Sequence, residues 1–110
     1  MTINEIAKEI HANACEKGWW DDERPFGEII ALCHSELSEA LEAYRNHEPL
    51  LWLNQMDGKD KPDGIAVEMI DCMIRILDYL EKEGVNIEFI LREKHNYNKS
   101  RPYKHGGKRC

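Results

Sequence analysis

Residues 64–83 form the most apolar stretch of the chain, and they constrain the fold more than any other segment. Apolar side chains point to nearly every side of a helix drawn through them: Ile65, Val67, Met69, Ile70, Cys72, Met73, Ile74, Ile76, Leu77 and Leu80. A helix that is apolar nearly all round belongs in the centre of a bundle. Two acids, Glu68 and Asp71, interrupt the stretch, and unpaired charge is costly in such surroundings. The segment therefore predicts a central helix that carries a polar site.

Local signals predict three more helices, over residues 2–17, 25–46 and 86–100. Apolar residues recur at helical spacing in the first two of these segments. Thr2 and Glu5 have the spacing of a capping box, Pro25 suits a first helical turn, and Asn86 suits an N-cap. Because no stretch alternates apolar and polar residues as a strand does, we expect an all-α fold, a four-helix bundle.

The length of 110 residues fits one domain, 1–110, whose last ten residues (101–110) form a flexible basic tail. Residues 47–63 break the helical pattern with two prolines and a glycine, and they read as a connecting segment. Within them, Leu50–Leu53 are too apolar for a free loop, so we expect them to pack on this domain or on a second subunit. A domain this short buries a modest core, so dimerisation would help to complete the bundle.

Two pairs of carboxylates lie three residues apart, Glu36 with Glu39 and Glu68 with Asp71. Residues at this spacing share one face of a helix, so two antiparallel helices can bring all four acids together. Acids that close repel one another unless a cation lies between them, and oxygen ligands suit Mg²⁺, with Mn²⁺ as a possible substitute.

The spacing by itself is unspecific, because it also occurs at Glu39/Glu42, Asp57/Asp60, Asp60/Asp63 and Asp78/Glu81. For any such pair the alternative is a solvated helix face. Context favours the two candidate pairs, since Glu36 falls on the apolar side of its helix and the second pair interrupts the central one. A di-iron bundle would need Glu-x-x-His pairs, and none occurs. No phosphate-binding loop, dinucleotide fingerprint or nucleophile elbow is present either.

The formal charge of −6 is unevenly distributed. Residues 92–110 contain seven basic residues and one acid, a charge of +6, which leaves −12 for the rest. An acidic body with a basic tail could bind a metal in one place and phosphates in another. No segment is long and apolar enough to span a membrane, and the first residues lack the basic region of a signal peptide. We therefore expect a cytoplasmic protein.

Three segments together resemble one family. The runs His34-Ser35-Glu36-Leu37-Ser38-Glu39-Ala40, Glu68-Met69-Ile70-Asp71 and Arg92 to Lys108 are similar to the motifs of the MazG-like nucleoside triphosphate pyrophosphohydrolases. The resemblance covers about residues 10–108. It implies an all-α fold, a homodimer or homotetramer, and magnesium-dependent hydrolysis of (deoxy)nucleoside triphosphates between the α and β phosphates, which gives a monophosphate and pyrophosphate.

The resemblance also assigns roles by position. It makes catalytic metal ligands of Glu36, Glu39, Glu68 and Asp71, and it makes substrate contacts of Lys94, Asn98, Arg101, Lys108, Trp19 and Trp20. Three of the substrate contacts recur at helical spacing on the last helix, where a solvated basic face is the alternative. The two tryptophans could stack on a base or could be core aromatics at a helix end.

Two functions follow as hypotheses. The first is the pyrophosphohydrolase, which would clear or control nucleotide pools without contact to membrane or nucleic acid. The alternative is a non-catalytic helical dimer that binds nucleic acid or a partner protein through its basic C-terminal segment. The charge of −12 on the body argues against the alternative, since small nucleic-acid-binding modules are usually positive overall.

Overall fold

The computed structural model describes residues 1–103. In this part of the chain four helices are present: α1 (Ile3–Glu16), α2 (Phe26–Arg45), α3 (Ile65–Lys82) and α4 (Ile87–Ser100). Every helix end lies within one residue of the predicted one, so the four-helix prediction is confirmed. Of the predicted tail, residues 101–103 follow α4 without helical structure. Lys108 lies outside the described residues.

The predicted caps form at both outer helices. The hydroxyl of Thr2 accepts from the backbone N–H of Glu5 at 3.1 Å, and the Glu5 carboxylate accepts from the N–H of Thr2 at 3.4 Å. Asn86 caps α4, because its side-chain oxygen accepts from the N–H of Phe89 at 3.2 Å. Each such cap contributes about 1 kcal/mol to helix stability. Local sequence thus fixes the residues at which α1 and α4 begin.

The prediction of a purely helical fold is wrong for residues 52–63, which form an antiparallel hairpin. Strand β1 (Trp52–Met56) pairs with β2 (Lys59–Asp63) across a two-residue turn of Asp57 and Gly58. Both turn residues have positive φ, +51° and +72°. Asp-Gly favours this kind of turn, whose twist matches that of the flanking strands. The Asp-Gly turn therefore supports a hairpin here, although the flanking residues do not alternate between apolar and polar.

Gly64 connects the hairpin to α3 in a place where no other residue fits. Its φ is +117°, and a Cβ there would lie 2.6 Å from the carbonyl oxygen of Leu50. The carbonyls of Pro49 and Leu50 accept from the first N–H groups of α3, those of Ile65 and Ala66, at 3.3 Å and 2.9 Å. The start of α3 is thereby fixed, and with it the position of the acids in its first two turns.

Helix α3 packs against both α1 and α2, and α4 contacts α1 and α3. Within the described part of the chain seven apolar residues are buried, most of them small: Ala7, Ile29, Cys33, Ala40, Ala43, Cys72 and Ile87. No large side chain among the described residues is fully buried. The central helix itself leaves much apolar surface uncovered, for example Met69 and Met73. No described helix is long and apolar enough to cross a membrane.

Candidate metal centre and adjoining cavity

Among residues 1–103, Glu36 is the acid that the fold buries, with 9% of its surface exposed. It lies one turn after the buried Cys33 and one turn before the buried Ala40, on the side of α2 that faces α3. A carboxylate in such a place needs a partner, because desolvation otherwise makes the charge costly. Arg75 of α3 supplies one, since its Nε donates to Glu36 Oε1 at 2.9 Å. The apolar stripe of α2 therefore fixes a charged group between the two helices.

Glu36, Glu39 and Glu68 bring one carboxylate oxygen each to within 4.8 Å of the others. Ligand oxygens around one magnesium ion are about 3–4 Å apart, since each lies about 2.1 Å from the ion. The three oxygens are therefore spaced closely enough for one hard cation. The chemistry of the set also suits a hard cation, because all three groups are carboxylates. Their burial differs: Glu36 is buried, Glu68 is half-buried and Glu39 is exposed. The exposed Glu39 leaves one side of the group open to solvent.

The protonation of Glu68 reflects the same crowding. Burial, followed by the hydrogen bond and charge of Glu39, raises the pKa of Glu68 from 4.5 to about 7. The negative charges of Asp71 and Glu36 act in the same direction. A proton and a metal ion relieve the same repulsion, so the two compete for this place.

Asp71 lies beside the three glutamates but does not belong to the closely spaced trio. Burial, and next the charge of Glu36, raises its pKa, while Arg75 and Lys61 act in the opposite direction. Asp71 and Glu36 both line a cavity. The structure thus brings three of the four predicted acids into one group and places the fourth where that group meets the cavity.

The cavity has a volume of about 540 Å³ and lies between α1, α2, α3 and the segment that joins α1 to α2. A cavity of this size accommodates a small organic ligand. Isoleucines from three helices, Ile10, Ile29 and Ile74, form part of its wall, and Trp19 and Trp20 form another part. It is therefore an apolar space that opens onto acids at one side.

A polar network holds Trp20 at the cavity wall. The indole Nε1 donates to both oxygens of Asp78, at 3.0 Å and 3.1 Å. His11 Nδ1 lies 2.7 Å from the same carboxylate, in ion-pair geometry if the imidazole is protonated. Asp78 thus connects α3 to α1 and to the tryptophan. Trp20 is consequently fixed by its neighbours, whereas Trp19 is more exposed, at 42%.

Two arginines lie against Trp19. The guanidinium carbon of Arg24 is 4.6 Å from the ring centroid and that of Arg75 is 5.2 Å. Arg24 is also tied by its Nε to the Trp19 carbonyl at 2.7 Å and by Nη1 to Glu28 at 3.2 Å. Arg75 is tied to Glu36. Both tryptophans that the sequence singled out therefore line the cavity, and a cation lies against each, since Lys82 Nζ is 5.0 Å from the ring centroid of Trp20.

The predicted phosphate contacts on α4 lie elsewhere. Lys94, Asn98 and Arg101 neither line the cavity nor belong to the acid trio. The cations of Lys94 and Arg101 lie over the ring of Tyr97, at 4.8 Å and 5.8 Å. Every residue from 89 to 100 is exposed. The structure thus does not bring the α4 face together with the acids within the described chain.

Sequence reasoning missed Arg75, Arg24, Asp78 and His11. The sequence carries a signal for two of them. Arg75 and Asp78 follow Asp71 by four and seven residues, so they lie on the same side of the most apolar helix. Arg24 and His11 carry no comparable signal, since each depends on how a neighbouring element folds back. Comparison with protein-family models, with curated proteins and with solved structures found no match to the chain.

Proposed function

We propose that the protein hydrolyses (deoxy)nucleoside triphosphates between the α and β phosphates, with magnesium as its cofactor. The observation that carries the proposal is the close approach of three glutamate oxygens at the edge of an aromatic-lined cavity. Metal-assisted phosphate chemistry needs such an acid group, and a nucleoside needs such a cavity next to it. The resemblance of the acid pairs to those of MazG-like pyrophosphohydrolases points to the same reaction.

In this proposal Glu36, Glu39, Glu68 and Asp71 hold the metal. Magnesium, when bound, supplies neutralisation of phosphate charge and activation of a water molecule. The carboxylates would hold the metal ion against which the phosphates bind, and one of them can accept the proton that water loses. The exposed side of Glu39 leaves room for the substrate to enter.

The cavity takes the nucleoside. Trp19 and Trp20 provide ring surfaces at its wall, and aromatic side chains suit the faces of a base. Asp78 and His11 hold Trp20 in place through side-chain contacts, so that ring is preorganised. Asp71 and Glu36 lie where the cavity meets the acid group, as required for a substrate whose base and phosphates bind in neighbouring places.

The same proposal includes a homodimer or homotetramer. Apolar side chains on the two best-packed helices remain uncovered, among them Leu37, Leu41, Met69 and Met73. The apolar segment before the hairpin is uncovered as well, with Leu50 66% and Leu51 63% exposed. A second subunit would cover these apolar side chains and complete a core that one short domain leaves small. Sedimentation equilibrium tests this part, and a monomer at micromolar concentration would contradict it.

The deciding experiment is a pyrophosphate-release assay over a panel of ribo- and deoxyribonucleoside triphosphates, with and without Mg²⁺, and with products separated by chromatography. We expect metal-dependent formation of a monophosphate and pyrophosphate. Diphosphate and orthophosphate as products would retain the metal centre but refute the assignment of the cleaved bond. Absence of turnover with both Mg²⁺ and Mn²⁺ would refute the enzyme.

The alternative hypothesis is a non-catalytic dimer that binds nucleic acid or a protein through its basic C-terminal segment. The exposure of α4 from residue 89 to residue 100 is compatible with it. A gel-shift assay with short DNA and RNA duplexes and single strands separates the two hypotheses. Binding that weakens steeply with salt, in a protein without turnover, would favour the alternative.

A further inference from the structure

Arg75 lies at the boundary between the acid group and the cavity. Its Nε donates to Glu36 at 2.9 Å, and its guanidinium carbon is 5.2 Å from the ring centroid of Trp19. The side chain also lines the cavity and is 27% exposed. A cation is thus held by an acid of the proposed metal centre on one side and by an aromatic wall of the cavity on the other.

The terminal nitrogens of Arg75 are available for a ligand. A guanidinium has five N–H donors, and Glu36 receives the one on Nε. Within residues 1–103, Nη1 and Nη2 of Arg75 make no hydrogen bond or ion pair with another residue. The paired terminal nitrogens form the planar fork that binds two oxygens of a phosphate at once.

Arg24 provides an internal comparison, because it is the other arginine at the cavity. Its Nε and Nη1 are already engaged by the Trp19 carbonyl and by Glu28. Arg24 therefore fastens the segment between α1 and α2, whereas Arg75 keeps its fork open. Arg24 also makes no hydrogen bond to any of the four acids.

We propose that Arg75 binds the phosphate attached to the sugar of the bound nucleotide through Nη1 and Nη2, while its Nε remains on Glu36. The inference rests on the proposed function, because it needs the base in the cavity and the phosphates at the acids. In that arrangement the α-phosphate is the group nearest the boundary, where Arg75 lies. Arg75 then offsets charge on the phosphate next to the bond that is cleaved, and Glu36 and Trp19 orient it.

The test measures binding without turnover, using calorimetry on the full-length protein. The ligands are the common nucleosides and their 5′-monophosphates in the presence of Mg²⁺, since a monophosphate carries only the α-phosphate. In the wild type we expect the monophosphate to bind more tightly than its nucleoside. Arg75→Gln should remove most of this advantage, a loss of about 10- to 100-fold for a charged hydrogen-bond pair. Binding of the nucleoside should not change.

Two matched variants make the result specific. Arg24→Gln removes the other arginine at the cavity and should preserve the ratio of monophosphate to nucleoside affinity. Arg75→Lys keeps the charge but not the fork, so it should keep part of the ratio. Mn²⁺ affinity, followed by electron paramagnetic resonance, reports whether the acid group survives. It should stay equal or rise in Arg75→Gln, because a positive charge beside Glu36 is gone.

The outcomes separate this inference from the proposed function. An unchanged ratio in Arg75→Gln overturns the role of Arg75, even in a protein that hydrolyses triphosphates. A loss of nucleoside and Mn²⁺ binding together in Arg75→Gln overturns it too, because the residue would then only maintain structure. If the ratio collapses in a protein that hydrolyses no triphosphate, the proposed reaction fails and the phosphate site stands. A wild type that binds no monophosphate more tightly than its nucleoside overturns the inference.

Discussion

The acid group between α2 and α3 and the basic face of α4 differ in how the fold treats them. Both were identified by the same rule, that residues three or four apart share a helix face. The acids come together from two helices, with Glu36 buried and paired to Arg75. Lys94 stays on the exposed part of α4 and Arg101 follows the end of that helix, and both cations lie over the ring of Tyr97. Helical spacing thus predicts which residues share a face of one helix. Whether the faces of two helices meet depends on which faces the fold buries.

The largest expected effect comes from removing one acid of the trio. Glu39→Gln replaces a carboxylate oxygen with an amide in the group whose oxygens lie within 4.8 Å. We expect the rate of pyrophosphate release to fall by about 100-fold or more, because a lost metal ligand removes several kcal/mol of transition-state stabilisation. Glu39→Ala and Asp71→Ala should have the same direction of effect.

Glu42→Gln is the matched control, because Glu42 lies three residues further along α2, is exposed, and stands outside the trio. Its activity should equal that of the wild type. Equal activity in Glu39→Gln would show that the acids are a solvated face like the others, and the comparison between the two regions would lose its basis.

The second prediction concerns the pH dependence of stability in metal-free buffer. The pKa of Glu68 is about 7 in the folded protein, against 4.5 for an unperturbed group, so the folded state binds more protons between these values. The free energy of unfolding should therefore fall as pH rises from about 4.5 to about 7 and remain lowered above that. Mg²⁺ replaces the proton, so it should raise the melting temperature more at about pH 8 than at about pH 5.

Differential scanning fluorimetry across this pH range measures the effect, and Glu68→Gln serves as its control because it cannot ionise. The variant should lose most of the pH-dependent fall in stability. An equal Mg²⁺ effect at both pH values in the wild type would contradict the coupling between protonation and metal binding.

The sequence predicted more of the helices than of their surroundings. The starts of α1 and α4 depend on local signals, the Thr2 hydroxyl and the Asn86 side chain, so they could be predicted to within one residue. Glu36 could be predicted as buried because its own helix has an apolar stripe. The partners of these groups depend on tertiary packing, which is why Arg75 escaped notice. The hairpin was missed because exposed strands, with Leu53 57% exposed, lack the alternation that burial of one face imposes.

The third prediction tests whether the α4 face acts on substrate at all. If Lys94 contacts a phosphate, Lys94→Gln should raise KM for a triphosphate about tenfold. This factor corresponds to a loss of about 1.4 kcal/mol, the size of one charge-assisted hydrogen bond. Lys99→Gln is the control, since Lys99 is a basic, exposed residue of the same helix outside the Lys94–Asn98–Arg101 face. Equal KM values in all three proteins would assign the α4 face to solvent and leave Arg75 as the principal phosphate contact.

The smallest expected effect tests how α4 is attached. The Asn4 side chain of α1 donates to the Asn86 oxygen at 2.9 Å and accepts from the N–H of Glu88 at 3.0 Å. Since residues 89–100 are exposed, these bonds and the buried Ile87 provide much of the attachment. Asn4→Ala should lower the free energy of unfolding by about 1–2 kcal/mol, as expected for two net hydrogen bonds.

Asn4→Asp separates the two bonds, because it keeps the acceptor for Glu88 and removes the donor to Asn86. A carboxylate there also lies next to the N-terminus of α4, where negative charge is favourable, so Asn4→Asp should cost less than Asn4→Ala in urea titrations. The rate of pyrophosphate release should change little, since the acids and the cavity are held by α1, α2 and α3. A fall in turnover as large as that of Glu39→Gln would mean that the attachment of α4 sets the geometry of the acid group, and the two regions could no longer be treated as separate.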